Sequence, residues 1–317
     1  MPKSKTSAKK APKHAAKSTK PAAAVAVAAP RSGQGWSDPC NPPPLGNGKA
    51  TIRLLHAASP TCWWTWGYEA TLHRVRLVYG NQVEIRIVLA PVYTDLKEYL
   101  AHYGSRKELV KEAEDASALM GVPIFLRYDR AKLPKDTLPV TLAAVAAYRQ
   151  GGVAGEKFLR AIVRRSCVEG SDVSQNFTVL AAAREAGLDL KRFSLDRKDR
   201  DGLLKDLDAM NDGLPHMPLG FYNLIVEGDR GRRVVIDHAF EPADVERAID
   251  YLGDRKLKKN RPRDPAVYLK QTGPAPLREI ARVFAWDVAA AEKKMARLEK
   301  AGQVRQVKLA GQPHWTA

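Results

Sequence analysis

Cys62 is the residue whose type and setting point most directly to chemistry, in the stretch Ser59-Pro60-Thr61-Cys62-Trp63-Trp64-Thr65-Trp66-Gly67. Upstream, Ala50-Thr51-Ile52-Arg53-Leu54-Leu55-His56 is a short apolar run with branched residues. Downstream, Leu72, Val75, Arg76 and Tyr79 recur at helical intervals. The cysteine therefore stands at a strand-to-helix junction. Free N–H groups and the positive end of the helix dipole favour thiolate there, which turns a weak nucleophile into a usable one. The competing reading is a buried and inert thiol, the commoner state of a lone cysteine.

Other groups could assist or surround that sulfur. Thr65 Oγ can donate a hydrogen bond to it and favour its charged form. Trp63, Trp64 and Trp66 either line an apolar substrate groove or pack as an aromatic cluster. His56 ends the upstream run and His216 precedes Met217-Pro218; both read more readily as structural histidines than as catalytic ones. Cys167, beside Val163 and Val168, reads as a core residue. Cys40, Cys62 and Cys167 are odd in number and widely spaced, which fits neither a disulfide framework nor a zinc site and points to a reducing cytoplasm.

The elements needed to position these groups alternate along the chain. A strand at 52–56, a helix at 66–79 and a strand at 83–89 make a parallel βαβ unit. A mostly helical segment follows, with apolar residues at three and four spacing in 95–103, 106–120, 140–148, 155–168 and 175–186. Two more strands, 220–226 and 233–236, are joined by a turn through Gly228-Asp229-Arg230-Gly231, and a helix over 241–252 closes the unit. The expected fold is α/β: a strand-helix-strand core, a helical insertion over about 94–212, then two strands and a helix, within a domain spanning 49–253.

Charge is concentrated at the two ends of the 317-residue chain. Residues 1–35 hold eight Lys/Arg and no Asp/Glu, residues 255–317 hold fifteen against five, and the total is +17. The body between is nearly neutral. Basic ends point to a polyanion partner, nucleic acid being the usual one and DNA the expected form for the C-terminal end. Residues 1–48, rich in Lys, Ala and Pro, are expected to be a disordered tail and linker. No apolar run approaches 18 residues, so no membrane partner is expected.

Residues 254–264 read as a basic linker to a small unit over 265–317. There a helix with Leu277, Ile280 and Val283 on one face, a turn at Trp286, a second helix capped by Asp287, and a hairpin around Gly311-Gln312-Pro313 resemble a winged helix-turn-helix. That resemblance makes 287–300 the recognition helix, with Lys293, Lys294 and Arg297 directed to phosphates. No Arg, Asn or Gln stands in its first turns to read bases.

Across Thr51 to Leu252 the chain resembles the DsbA-like branch of the thioredoxin superfamily, and within it the FrnE-type dithiol-disulfide isomerases, relatives of 2-hydroxychromene-2-carboxylate isomerases and kappa-class glutathione transferases. Cys62-Trp63-Trp64-Thr65-Trp66-Gly67 resembles the family's C-P-W-C-Y-x-G, and Met120-Gly121-Val122-Pro123-Ile124 resembles the entry to its helical insert. Glu169-Gly170-Ser171-Asp172-Val173-Ser174 with Ala186-Gly187-Leu188-Asp189 resembles the later insert, and Met217-Pro218 matches the cis-proline site. The resemblance implies thiol-disulfide exchange in which Met217 and Pro218 dock an extended substrate beside Cys62. Thr65 stands where the dithiol enzymes carry their resolving cysteine, so the implied chemistry is monothiol, with release by glutathione, a protein thiol or a distant cysteine such as Cys40. No resident cofactor is implied. A redox-sensing or adaptor protein and a glutathione-dependent isomerase or transferase are the alternative readings.

Overall fold

Strand β1, Ile52–Ala58, is buried on both faces along nearly its whole length, which is why it reads as a continuous apolar run rather than an alternating one. The computed structural model describes residues 52–125, 133–212 and 220–317; the basic tail, Cys40, Pro215, His216, Met217 and Pro218 lie outside the described residues. The chain turns at Pro60-Thr61 into helix α1, Trp63–Tyr79, and returns as β2, Val83–Leu89, parallel to β1 from Ile52↔Val83 to Ala58↔Leu89. Helix α1 begins three residues earlier than the apolar spacing predicts. Its first turn carries Trp63, Thr65 and Trp66 inward, and only the later turns show the one-sided spacing.

Seven helices follow before the next described strand. They are α2 Leu96–Tyr103, α3 Arg106–Met120, α4 Leu138–Tyr148, α5 Gly152–Cys167, α6 Asn176–Glu185, α7 Leu190–Asp196 and α8 Arg200–Asn211. Side chains of Asp95, Ser105, Asp189 and Asp199 accept hydrogen bonds from the first-turn N–H groups of α2, α3, α7 and α8, satisfying donors the helices themselves leave open. Every residue of α4 from Val140 to Tyr148 is buried, so it is the central helix of the insert. The last two helices were not expected: α7 has only seven residues, and Gly202 with five charged neighbours hides the inward stripe of Leu203, Leu207 and Met210 in α8.

Strands β3, Asn223–Glu227, and β4, Arg233–Asp237, complete a four-stranded sheet of order β2-β1-β3-β4, antiparallel at β1/β3 and β3/β4. Helix α9, Pro242–Leu252, packs back on β3 and β4. The fold is thus thioredoxin-like with a helical insertion, as its sequence implies.

The segment read as a linker is held to the body. Asn260 N donates to Val78 O at 2.8 Å, Lys258 exchanges two hydrogen bonds with Gln82, and Lys259 pairs with Asp250 at 2.6 Å. Beyond it lie α10 Pro265–Thr272, α11 Leu277–Phe284, α12 Val288–Lys300 and an antiparallel hairpin of β5 Arg305–Leu309 and β6 Gln312–Thr316. Helix α10 escaped the apolar count, although Asp264 as N-cap and Pro265 at the first helical position signal its start. Ala275 forms a β-bridge with Trp315, closing the hairpin on the segment between α10 and α11.

This C-terminal unit shares a core with α1. Ala70 and Leu77 pack with Leu269, Ile280, Val283 and Trp315. Arg160 of α5 lies at the junction and is buried. Its guanidinium donates to Glu69 of α1 at 2.9 Å, to Glu279 of α11 at 2.8 Å, and to the carbonyl oxygens of Thr272 and Pro274; it also lies 5.0 Å from the ring centroid of Trp66. Tyr268 Oη donates to Glu279 and meets His73 Nδ1 at 2.8 Å. Burial alone would raise the Glu279 carboxyl, but Arg160, His73 and Tyr268 outweigh it and hold it at about 2. Burial alone would lower Arg160, and the two carboxylates outweigh that and raise it. Removing one member of such a cluster leaves uncompensated buried charge. Arg160→Ala is therefore expected to destabilise the protein by about 3–5 kcal/mol in denaturant unfolding, and a loss below about 1 kcal/mol would contradict this role.

Candidate functional site

Cys62 is the N-cap residue of α1, with φ −100° and ψ 121°. Its N–H donates to Ser59 O at 3.2 Å and its carbonyl accepts from Thr65 N at 3.1 Å. Thr65 Oγ1 in turn accepts from Ser59 N at 3.0 Å. The threonine side chain thereby ties the end of β1 to the first turn of α1. Both residues are buried, Cys62 at 6% exposure and Thr65 at 1%.

Two opposing effects act on the thiol. Burial is the larger and pushes it up; hydrogen bonds from the N–H groups of Thr65 and Trp64 and from the Thr65 side chain pull it down, and Glu112 adds a small upward push. The net result is a thiol raised to about 11. The helix-terminal donors expected from the sequence are in place, but desolvation of the sulfur exceeds them, and no cation among the described residues offsets that burial to favour the charged form. Burial therefore opposes the thiolate that the helix start would favour.

The three tryptophans separate. Trp63 and Trp66 belong to the core, at 6% and 1% exposure. Trp64 is half-buried, stacked on Phe240 with centroids 5.7 Å apart and edge-on to His238 at 5.5 Å. Gly67 completes the motif for a steric reason: a Cβ there would lie 2.0 Å from Met120 Sδ.

Aromatic and titratable side chains from several elements surround the site. His56 is 1% exposed, neither ring nitrogen has a hydrogen-bond partner, and its ring meets Tyr68 edge-on at 5.1 Å. Tyr68 Oη donates to Tyr222 O at 2.6 Å. Tyr103 and Glu112 share a hydrogen bond, and burial raises both groups. Cys167 is fully buried in the core, its thiol raised first by burial and then by the charge of Cys62. Sequence reasoning missed Tyr68, Tyr103 and Glu112, since they come from three helical faces whose convergence no spacing encodes. Lys293, Lys294 and Arg297 are exposed on α12, with Lys294 Nζ 4.3 Å over the Trp286 ring. They belong to the C-terminal unit, not to the cysteine site.

Fold and site together define a thioredoxin-type protein with a single cysteine at the helix start. Residues 58–208 match the sequence profile of the family described as Thioredoxin. Over that stretch, just under half of its length, the chain is similar to thioredoxin-family proteins. It is similar to the ClpXP adapter protein SpxH of Bacillus licheniformis, 27% identical over 256 residues covering 78% of this chain and 82% of that protein. It is also similar to SpxH of Bacillus subtilis, 23% identical over 83% of this chain and 88% of that one. Among solved structures, the cytosolic disulfide reductase DsbM from Pseudomonas aeruginosa is 23% identical, with a TM-score of 0.46, covering 64% of this chain and 99% of that chain. No helix among the described residues is long and apolar enough to cross a membrane.

The buried histidine gives a stability signature. Burial lowers His56 from 6.5 to about 3, so the unfolded chain binds its proton more readily than the folded one. The stability from keeping it neutral is complete above 6.5 and lost as the pH falls from there towards 3. In melting curves across that range, wild type is expected to lose stability relative to His56→Phe; parallel curves for the two proteins would refute it.

Proposed function

We propose that this chain is a protein-binding adaptor built on a DsbA-like scaffold, with Cys62 a buried thiol that does not turn over disulfides. The observation that carries this reading is the thiol held at about 11 at a site whose second cysteine is replaced by Thr65. At neutral pH only on the order of one molecule in ten thousand would hold the thiolate, the species that attacks a disulfide. Without a resolving partner in the motif, each attack would leave a mixed disulfide. The adaptor role named for the relatives over most of this chain's length supports the reading, as does the C-terminal unit locked onto α1. The exposed Lys293 and Arg297 supply that unit with a basic face for a polyanion such as DNA, and the cytoplasm is the proposed compartment.

One observation favours monothiol exchange as a second reading. The Thr65 side chain and two helix N–H groups already favour the Cys62 thiolate, so a partner that opened the site would find it prepared. The thiolate would attack a disulfide, join one half through a new S–S bond and expel the other as a thiolate. A protein thiol or glutathione would then release Cys62.

The two readings part on Cys62→Ser. In cells lacking the chain, the adaptor reading predicts that a set of proteins degrades more slowly, and that Cys62→Ser restores their half-lives as fully as wild type, with no Cys62-dependent reduction of glutathionylated peptide by the purified protein. Restoration by wild type alone, together with peptide reduction lost in Cys62→Ser, would establish exchange instead.

A further inference from the structure

Strand β4 ends the sheet, and no described strand pairs with its outer edge. The ladder to β3 determines which of its backbone groups are free. His238 N donates to Tyr222 O and Gly228 N to Arg232 O, both at 2.8 Å. Antiparallel pairing alternates in steps of two, so Val234 and Ile236 direct their N–H and C=O groups to β3, while Arg233, Val235 and Asp237 direct theirs outward. Val234 and Ile236 also line a groove of about 430 Å³ between β4 and α9, with Ala248 and Tyr251 on its helix side. Val235 and Tyr251 are 38% and 66% exposed.

Exposed strand edges are usually blunted by charge, and β4 carries one at each end, of opposite sign: Arg233-Val234-Val235-Ile236-Asp237. Turned through a two-fold axis, that sequence complements itself. We propose that two copies of this chain join β4 to β4, antiparallel, about an axis at Val235. Val235 then opposes Val235, and Arg233 of each copy opposes Asp237 of the other. These are the residues whose backbone groups point outward, so each opposed pair can exchange two hydrogen bonds.

The side chains agree with this register. Arg233 spends its Nε on Glu227 at 2.6 Å, leaving the outer end of its guanidinium for a carboxylate. Asp237, exposed at the far end of the strand, forms no ion pair among the described residues. On the groove side, Val234 meets Ile236 of the second copy, covering apolar surface that the monomer leaves to water. Each contact occurs twice, as an isologous interface requires. A strand from another protein would find the hydrogen-bonding edge but not the paired charges in this order.

The test uses the full chain in gel filtration with light scattering at tens of micromolar. Wild type is expected at twice its 35.0 kDa mass. Val235→Asp, which sets two carboxylates against each other at the axis, is expected to weaken the dimer at least tenfold with an unchanged circular dichroism spectrum. Under mild oxidation Val235→Cys is expected to cross-link to itself, mapped by mass spectrometry, while Arg233→Cys does not, being remote from its own copy across the axis. A wild-type monomer at that concentration overturns the proposal. So does a dimer indifferent to Val235→Asp, or a dimeric Val235→Cys protein that forms no cross-link at the substituted position.

Discussion

Helix α1 is enclosed on every side, and that enclosure governs the rest of the molecule. The sheet lies against one face of α1, α9 and α5 pack along its flanks, and α11 covers the remaining face. Twelve of its seventeen residues are buried, Glu69 among them. A carboxylate so placed requires a cation, and Arg160 supplies it while also reaching Glu279 and two carbonyls of the C-terminal unit. The C-terminal unit is thereby part of the wall around α1, with its own core drawing on Ala70 and Leu77.

The same enclosure determines the character of Cys62. A helix N-terminus and three hydrogen-bond donors act to stabilise the thiolate, which is the usual basis of a reactive cysteine. Here the sulfur is removed from water, no cation among the described residues offsets that burial, and Glu112 opposes the charge, so the thiol is pushed up. His56 follows the same rule, kept neutral by burial with both ring nitrogens unpartnered. The proposed adaptor reading rests on that balance, and on Thr65 standing where a second cysteine would provide an internal route of release.

The strand-helix-strand core was legible because β1 is covered on both faces and the later turns of α1 keep a regular inward stripe. Helices α7, α8 and α10 were not, being short or rich in charge, and they announce themselves only through Asp caps and a proline. Cys62 and Thr65 could be chosen from sequence, since their types and spacing carry chemical meaning. The state of the thiol could not, because it depends on how far the sulfur is removed from water, and on Glu112 brought in from another helix. Nor could the Arg160 cluster be read, since Glu69, Arg160 and Glu279 are scattered along the chain and meet only when α1, α5 and α11 pack.

The central claim, that burial overrides the helix N-terminus at Cys62, is tested most directly by titrating that thiol in the intact protein, following iodoacetamide modification of the Cys62 peptide by mass spectrometry as pH is raised. The account predicts a modification rate still rising beyond pH 10, with a midpoint near 11. A plateau reached below pH 8 would mean that the thiolate predominates, and would contradict it.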